Sequence, residues 1–367
     1  MVRGLLVSAA RGNLDQRPST RAIGHAQRQL GMVYDRFGIR MTTTDLFFAL
    51  TPHKVLEAVE KAGHVCNPVC YALNSFENRV YEVELEDRTR LVAKFYRPGR
   101  WTAAQILEEH QFLLDLAEAE VPVCPPMRLP NGSTLDDVDG IRYCLFPRIG
   151  GRAPDEPDDE LLMRLGMLTA RLHNVGAARK AEHRLRMGAD EFVRKNLAVF
   201  RARNAIPPRL VERYERAADH IANFIDAGMA RADLHRIHGD LHHGNLLLRD
   251  DVLCVIDFDD MMVGPAVQDI WLLVGGRDIE SRVRRQVFLE GYEQFRRFDR
   301  TTLSLIEPLR GLRRIHYAAW IARRFHDPIF PRTFPAFGTE SYWEEETRDL
   351  EEIVRINQKE TSRTHFL

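Results

Sequence analysis

The chain has 367 residues, 52 basic and 53 acidic, for a formal net charge of −1. That length can bury a substantial core and fits one bilobal unit or two domains, while the balanced charge excludes a global pull toward nucleic acid or an anionic lipid surface. Five scattered cysteines, mostly in apolar settings such as RYCLF, read as buried thiols of a reducing, cytoplasmic compartment, and no apolar run reaches the roughly 20 residues that span a bilayer.

In chain order, the first forty residues are rich in arginine and carry neither a periodic apolar face nor a secretory apolar segment. They read as a disordered or artefactual extension over 1–45, with Met41 as the alternative start. From Val69 to Phe95 the alternation in NRVYEVELED and RLVAKFY predicts a β-hairpin. TAAQILEEHQFLLDLAEAE then sets Ile106, Leu113 and Leu116 on one helical face, capped by Thr102, and the prolines of VPVCPP stop it. A bend at DVDG leads into a strand ending near Pro147. Residues 46–148 thus form a small lobe, an antiparallel sheet with one inserted helix. After the acidic stretch GGRAPDEPDDE, residues 149–358 read as a helical lobe interrupted by two short strands, NLLLR and VLCVIDF, and 359–367 as a tail.

The chemistry concentrates in HGDLHHGNLLLRDDVLCVIDFDD, His238 to Asp260. His235, His238, His242, His243 and Asp240 invite a zinc or iron site, but no second ligand cluster accompanies them. Phosphoryl transfer asks instead for a carboxylate to take the alcohol proton, oxygen ligands for a metal and a cation on the phosphates. Asp240 supplies the first; Asn245 and Asp257, at neighbouring points of a hairpin base, supply the second for Mg²⁺. Lys94 in LVAKFY supplies the cation, with Glu109 beside the buried helix face to orient it and Glu108 as its rival. Taken singly, Lys94 reads equally as a solvated edge lysine and the glutamates as a solvated charge run.

These motifs resemble the H-R-D-x-x-x-x-N and D-F-G signatures as they occur in the protein-kinase-like phosphotransferases, which include aminoglycoside, choline and homoserine kinases. The segments LNSFENRVYEV, VGPAVQDIW, LIEPLRGLRRIHYAAWIARRF and DPIFP narrow the resemblance, from about Phe48 to Gln358, to bacterial stress-response serine/threonine kinases of that fold. It implies an α+β bilobal fold with a small antiparallel sheet lobe and a mostly helical one. Asp240 becomes the proton acceptor, Asn245 and Asp257 the magnesium ligands, and Lys94 with Glu109 the phosphate-positioning pair. Ser75 falls in the phosphate-covering loop. That loop has no glycine between Tyr71 and Val80, so Asn74, Ser75 and Asn78 carry the approach to phosphate. LFPRI becomes the hinge beside adenine, with Phe146 and Arg148 as donors because Pro147 has no N–H. Asp269 braces the catalytic loop, His238 is a buried hydrogen-bonding residue, and His242 and His243 fill the turn.

The implied activity is ATP- and Mg²⁺-dependent phosphorylation of serine or threonine on proteins by a soluble, cytoplasmic monomer. The alternative is a kinase of small alcohols of the aminoglycoside, choline or homoserine type, and a third reading is a nucleotide-binding scaffold. Only eleven residues separate Asp257 from Asp269, and Asp259 stands where D-F-G has glycine, so no activation loop is expected and the site should be constitutively competent. Most arginines of RVRRQ, FRRFDR, LRGLRRIHY and IARRFHD read as solvated faces or ion-pair partners, and a basic groove wall for acidic substrate segments, including Arg313 and Arg314, is the functional alternative.

Overall fold

The computed structural model describes residues 50–364 apart from 74, 155 and 156, together with Phe47 and two short strands, β1 (Val33–Tyr34) and β2 (Arg40–Met41), which pair antiparallel. The rest of the expected 1–45 extension, Asn74 and the last three residues lie outside the described residues.

The chain next forms α1 (Pro52–Lys61), which the sequence reading did not anticipate. Its start is nevertheless written in the chain: Thr51 accepts a hydrogen bond from the Lys54 N–H, and Pro52 opens the first turn. Strands β3 (Cys66–Leu73), β4 (Arg79–Leu85), β5 (Arg90–Phe95), β6 (Asp136–Val138) and β7 (Ile141–Pro147) make an antiparallel sheet in the order β3-β4-β5-β7-β6. The predicted hairpin is β4–β5, turned at Arg88 with positive φ and fastened by the Asp87 carboxylate accepting from Thr89 N. Alternation does the sorting. Leu91, Ala93 and Phe95 pack beneath Val55, Ala58 and Val59 of α1, so Val92 and Lys94 face the opposite side.

That side is covered by α2 (Ala103–Glu118), whose capping box pairs Thr102 with Gln105 reciprocally. Ile106 packs with Tyr96 and Cys144 against the sheet, whereas Phe112, Leu113 and Leu116 belong to the large core of the helical part. One helix is therefore shared by both cores, and Glu109 lies between them.

The helical part comprises α3 (Asp159–Ala178), α4 (Lys195–Arg203), α5 (Pro208–Met229), α6 (Val267–Val274), α7 (Ile279–Glu293), α8 (Ile306–Arg324), α9 (Ile329–Thr333) and α10 (Glu340–Thr364). Helices α3 and α7 touch backbone to backbone: a Cβ on Gly166 would stand 2.0 Å from the Phe288 carbonyl oxygen, and one on Gly291 2.0 Å from that of Met163. Between α5 and α6 run two hairpin-like pairs. β9 (Leu246–Arg249) with β10 (Val252–Val255) was legible in sequence; β8 (Leu234–Ile237) with β11 (Met262–Pro265) was not, being four residues each and interrupted by the buried Arg236. No helix among the described residues is long and apolar enough to cross a membrane.

Candidate active site

The loop after β8 is built on one buried carboxylate. Asp269, in the first turn of α6, accepts from the backbone N–H groups of His238 and Gly239, each at 2.8 Å, and from His173 Nε2 at 3.1 Å. Charge-assisted bonds of this kind hold a loop firmly. Gly239 has φ +86, and a Cβ there would meet the Asp260 carbonyl at 2.3 Å, so glycine is required. Buried His238 donates from Nε2 to the Ile256 carbonyl at 2.9 Å, tying the loop to the end of β10.

Thus anchored, the loop presents Asp240 to a cleft of about 750 Å³ between sheet and helices. Asp240 Oδ1 accepts from Arg313 at 2.5 Å, and His242 stands 3.5 Å from Oδ2. His242 is therefore more than a turn filler, whereas His243 Nε2 pairs with the Leu273 carbonyl at 3.2 Å. Burial works to raise the Asp240 carboxyl, but His242 and Arg313 hold it down to about 2. Asn245 donates its amide to the Asp240 carbonyl at 2.9 Å, spending its nitrogen on the loop and leaving its oxygen as the side-chain donor for a cation. Its own carbonyl accepts from Ile256 N at 3.0 Å, which sets Asp257 alongside. Asp257 adopts the left-handed conformation, uncommon outside glycine, and its side chain is 59% exposed along the cleft. A carboxylate and an amide oxygen here fit a hard, oxygen-preferring cation such as Mg²⁺. Among the described residues no group of three or more histidines, cysteines or carboxylates is arranged as a metal cage.

Lys94, buried on β5, lies 3.0 Å from Asp259, 3.4 Å from Glu109 and 3.8 Å from Asp257. Burial alone would depress its pKa; those three carboxylates raise it well above the ordinary lysine value. Glu109 also accepts from the buried Arg184 at 2.5 Å, and burial pushes its carboxyl up against the pull of Lys94 and Arg184. Arg184 continues to the Asp259 carbonyl at 2.9 Å and stacks on Trp101 at 4.5 Å. Glu108, the rival, turns away to accept from the backbone N–H groups of Glu182, His183 and Arg184 at 2.5–2.9 Å. Asp259 was missed as a site residue. It is buried, holds Arg100 as well as Lys94, and the competing cations pull its carboxyl well below the usual range despite burial. The one available signal was its place in the glycine position after Phe258, whose ring stands edge-on to Phe112 at 5.7 Å.

Ser75 lines the cleft with Phe76, Glu77 and Asn78. Asn78 differs from expectation: buried, its side-chain oxygen is spent on Arg97 N at 3.2 Å. Glu77 is gripped from α8 by Trp320 Nε1 at 2.7 Å and Arg324 at 2.6 Å, so the glycine-free loop is tied to the helical part. At the expected hinge Phe146, Pro147 and Ile149 line the cleft. The Arg148 side chain turns outward to Glu82 at 3.1 Å because its register on the strand edge puts it beside that carboxylate. The two arginines of the alternative basic wall also part company, as adjacent helical positions must. Arg313 meets Asp240, while Arg314 pairs with Glu346 at 2.8 Å and Asp349 at 2.5 Å.

The sequence profile of the phosphotransferase enzyme family matches residues 71–306. Stress response kinase A of Escherichia coli (strain K12) is 39% identical over 315 residues, 85% of this chain and 95% of the relative. Serine/threonine protein kinase RdoA of Salmonella typhimurium (strain LT2) is 39% identical over 312 residues, 84% of this chain and 94% of its own length. Among solved structures, the amicoumacin kinase hAmiN in complex with AMP-PNP, Ca²⁺ and Ami superposes with a TM-score of 0.69 at 19% identity, over 85% of this chain and 95% of that one. Choline kinase LicA from Streptococcus pneumoniae gives 0.55 at 15% identity, over 82% and 98%. At such identities these likenesses speak for the kinase-like fold.

Proposed function

We propose, from the premise that this chain belongs to the phosphotransferase enzyme family, that it phosphorylates serine or threonine hydroxyls on proteins with ATP and Mg²⁺, in a bacterial stress response. The observation that carries the reading is the convergence of Asp240, Asp257 and Lys94 on one cleft, with Asn245 bonded to the same loop. Lys94, steered by Glu109, grips the phosphates of ATP. Asn245 and Asp257 would hold Mg²⁺, which supplies neutralisation of phosphate charge. Asp240 orients the acceptor hydroxyl and takes its proton as the new O–P bond forms and the bond to ADP breaks. Phe146 and the flanking backbone face the adenine, and Ser75 the phosphates. With α2 fastened through Glu108 and Glu109 and no long segment between Asp257 and Asp269, the site needs no ordering step.

The protein acceptor is favoured over the small-alcohol alternative by the relatives that match along nearly their whole length, a stress response kinase and a serine/threonine protein kinase. It is tested by [γ-³²P]ATP transfer to protein substrates and to a panel of amino alcohols, with Asp240→Asn and Asp257→Ala beside the wild type. Proteins should be labelled on serine or threonine, and Asp240→Asn should lose about 10²–10⁴-fold in kcat. Labelled small alcohols with silent proteins would overturn the reading.

A further inference from the structure

Resting on the protein-kinase reading, the geometry points to Arg313 as the residue that selects acceptors: it recognises a carboxylate flanking the accepting serine or threonine, and in doing so releases Asp240. Both oxygens of Asp240 are attended, Oδ1 by Arg313 at 2.5 Å and Oδ2 by His242 at 3.5 Å. The carboxylate has room for a further hydrogen bond, but a hydroxyl that is to give Asp240 its proton meets a stronger acceptor once Arg313 is drawn off Oδ1. Arg313 is suited to withdraw. Its side chain is 41% exposed on a long stem, and Asp240 is its sole ion-pair partner among the described residues.

Withdrawal leaves a guanidinium at the cleft wall in need of a counter-charge, and no second carboxylate pairs with it among the described residues. The other cations on the cleft, Lys94 and Arg100, are committed to Asp259 and its neighbours. The carboxylates that share the cleft, Asp257 and Asp260, stand by Lys94 and Arg100. An acidic residue brought by the acceptor supplies the missing charge, so binding energy from a non-reacting part of the substrate uncovers the base. A cationic acceptor meets repulsion at the same place, which counts against amino alcohols.

The neighbouring wall suits a polypeptide. Tyr317 and Trp320 follow Arg313 at i+4 and i+7 on the same face of α8, stacked at 5.5 Å and 19°. Tyr317 remains 48% exposed, a shelf for the apolar part of an extended segment.

The test is a set of serine peptides differing only in flanking residues (Glu, Gln or Lys), assayed with [γ-³²P]ATP on the full chain. Wild type should prefer the Glu peptide to the Lys peptide. Arg313→Gln should raise KM for the Glu peptide about tenfold, the size of a modest charge contact, with KM for ATP unchanged. Arg313→Glu should reverse the preference toward Lys, a readout that mere loss of structure cannot give. Arg314→Gln, altered at the outward ion pair, should keep the wild-type preference. Equal labelling of all flanks by wild type, or an unchanged preference in Arg313→Glu, overturns this inference and leaves the protein-kinase reading standing. Labelled amino alcohols with no labelled peptide overturn both.

Discussion

Replacing Arg184 by Met is the sharpest probe of how Lys94, the proposed phosphate-binding lysine, is held. The guanidinium bonds Glu109 at 2.5 Å and the Asp259 carbonyl at 2.9 Å, and lies over Trp101 at 4.5 Å, fully buried throughout. Removing one partner of a buried pair costs about 3–5 kcal/mol because the other charge is left uncompensated. The carbonyl and stacking losses, individually about 1–2 kcal/mol, overlap with that figure and do not simply add. A loss of about 4 kcal/mol corresponds to a fall in Tm of about 8–16 °C for a large domain. Glu109, its carboxyl already pushed up by burial, then takes a proton, and Lys94 is drawn to Asp259 and Asp257, away from the phosphates. KM for ATP should rise by about ten- to a hundredfold, the equivalent of about 1.4–2.8 kcal/mol. Thermal melts with and without ATP, together with ATP saturation kinetics, read both effects. The double variant Arg184→Met, Glu109→Leu should regain much of the lost Tm without regaining ATP affinity, since an apolar pair replaces a buried ionic one at little cost. Unchanged KM for ATP with a Tm shift under about 1 °C in Arg184→Met would refute the reasoning.

The acid behaviour of Asp240 gives a second prediction. Its carboxyl is held down to about 2, below the ordinary carboxylate value, so its stabilising contribution is full above about pH 4 and is lost as pH falls through about 2. Melts from pH 5 to 2.5 should therefore fall more steeply in wild type than in Asp240→Asn, and equal slopes would contradict the Arg313 contact. A third concerns the helix contact at Gly166: Gly166→Ala drives a methyl to 2.0 Å from the Phe288 carbonyl. It should cost about 2–4 kcal/mol despite the gain in helix propensity, and a stabilised variant in urea unfolding would show that α3 and α7 can separate freely.

What the sequence made legible follows from local physics. Alternation put Lys94 on the opposite side of β5 from the buried Leu91, Ala93 and Phe95, and the Thr102–Gln105 capping box started α2 where expected. Helix phase pointed Glu109 inward beside Phe112 and Leu113, because inward positions recur every three to four residues. The fold of sheet plus helices was readable from these periods, and of the residues picked out by spacing Asp240 and Asp257 line the cleft while Asn245 bonds to the same loop. What escaped depends on approach in space. Arg184 is 75 residues from Glu109, and nothing in HRLRMG distinguishes it from a surface arginine. Asp259 reads as one more acid in a run until Lys94 and Arg100 close on it. The separation of Arg313 from Arg314 follows from helix geometry but their partners do not, and α1 was passed over although Thr51, Pro52 and the spacing of Val55, Ala58 and Val59 mark a short capped amphipathic helix.

The grip of Trp320 and Arg324 on Glu77 makes the cleft behave like an airlock. The glycine-free loop is moored to the opposite wall by two bonds to a charged group, each worth about 1.5–3 kcal/mol. If that loop covers ATP as proposed, nucleotide exchange calls for both moorings to part. On that reading ADP departure is expected to set the pace of turnover, governed by Trp320 and Arg324, side chains on the far wall from the sheet that carries Lys94.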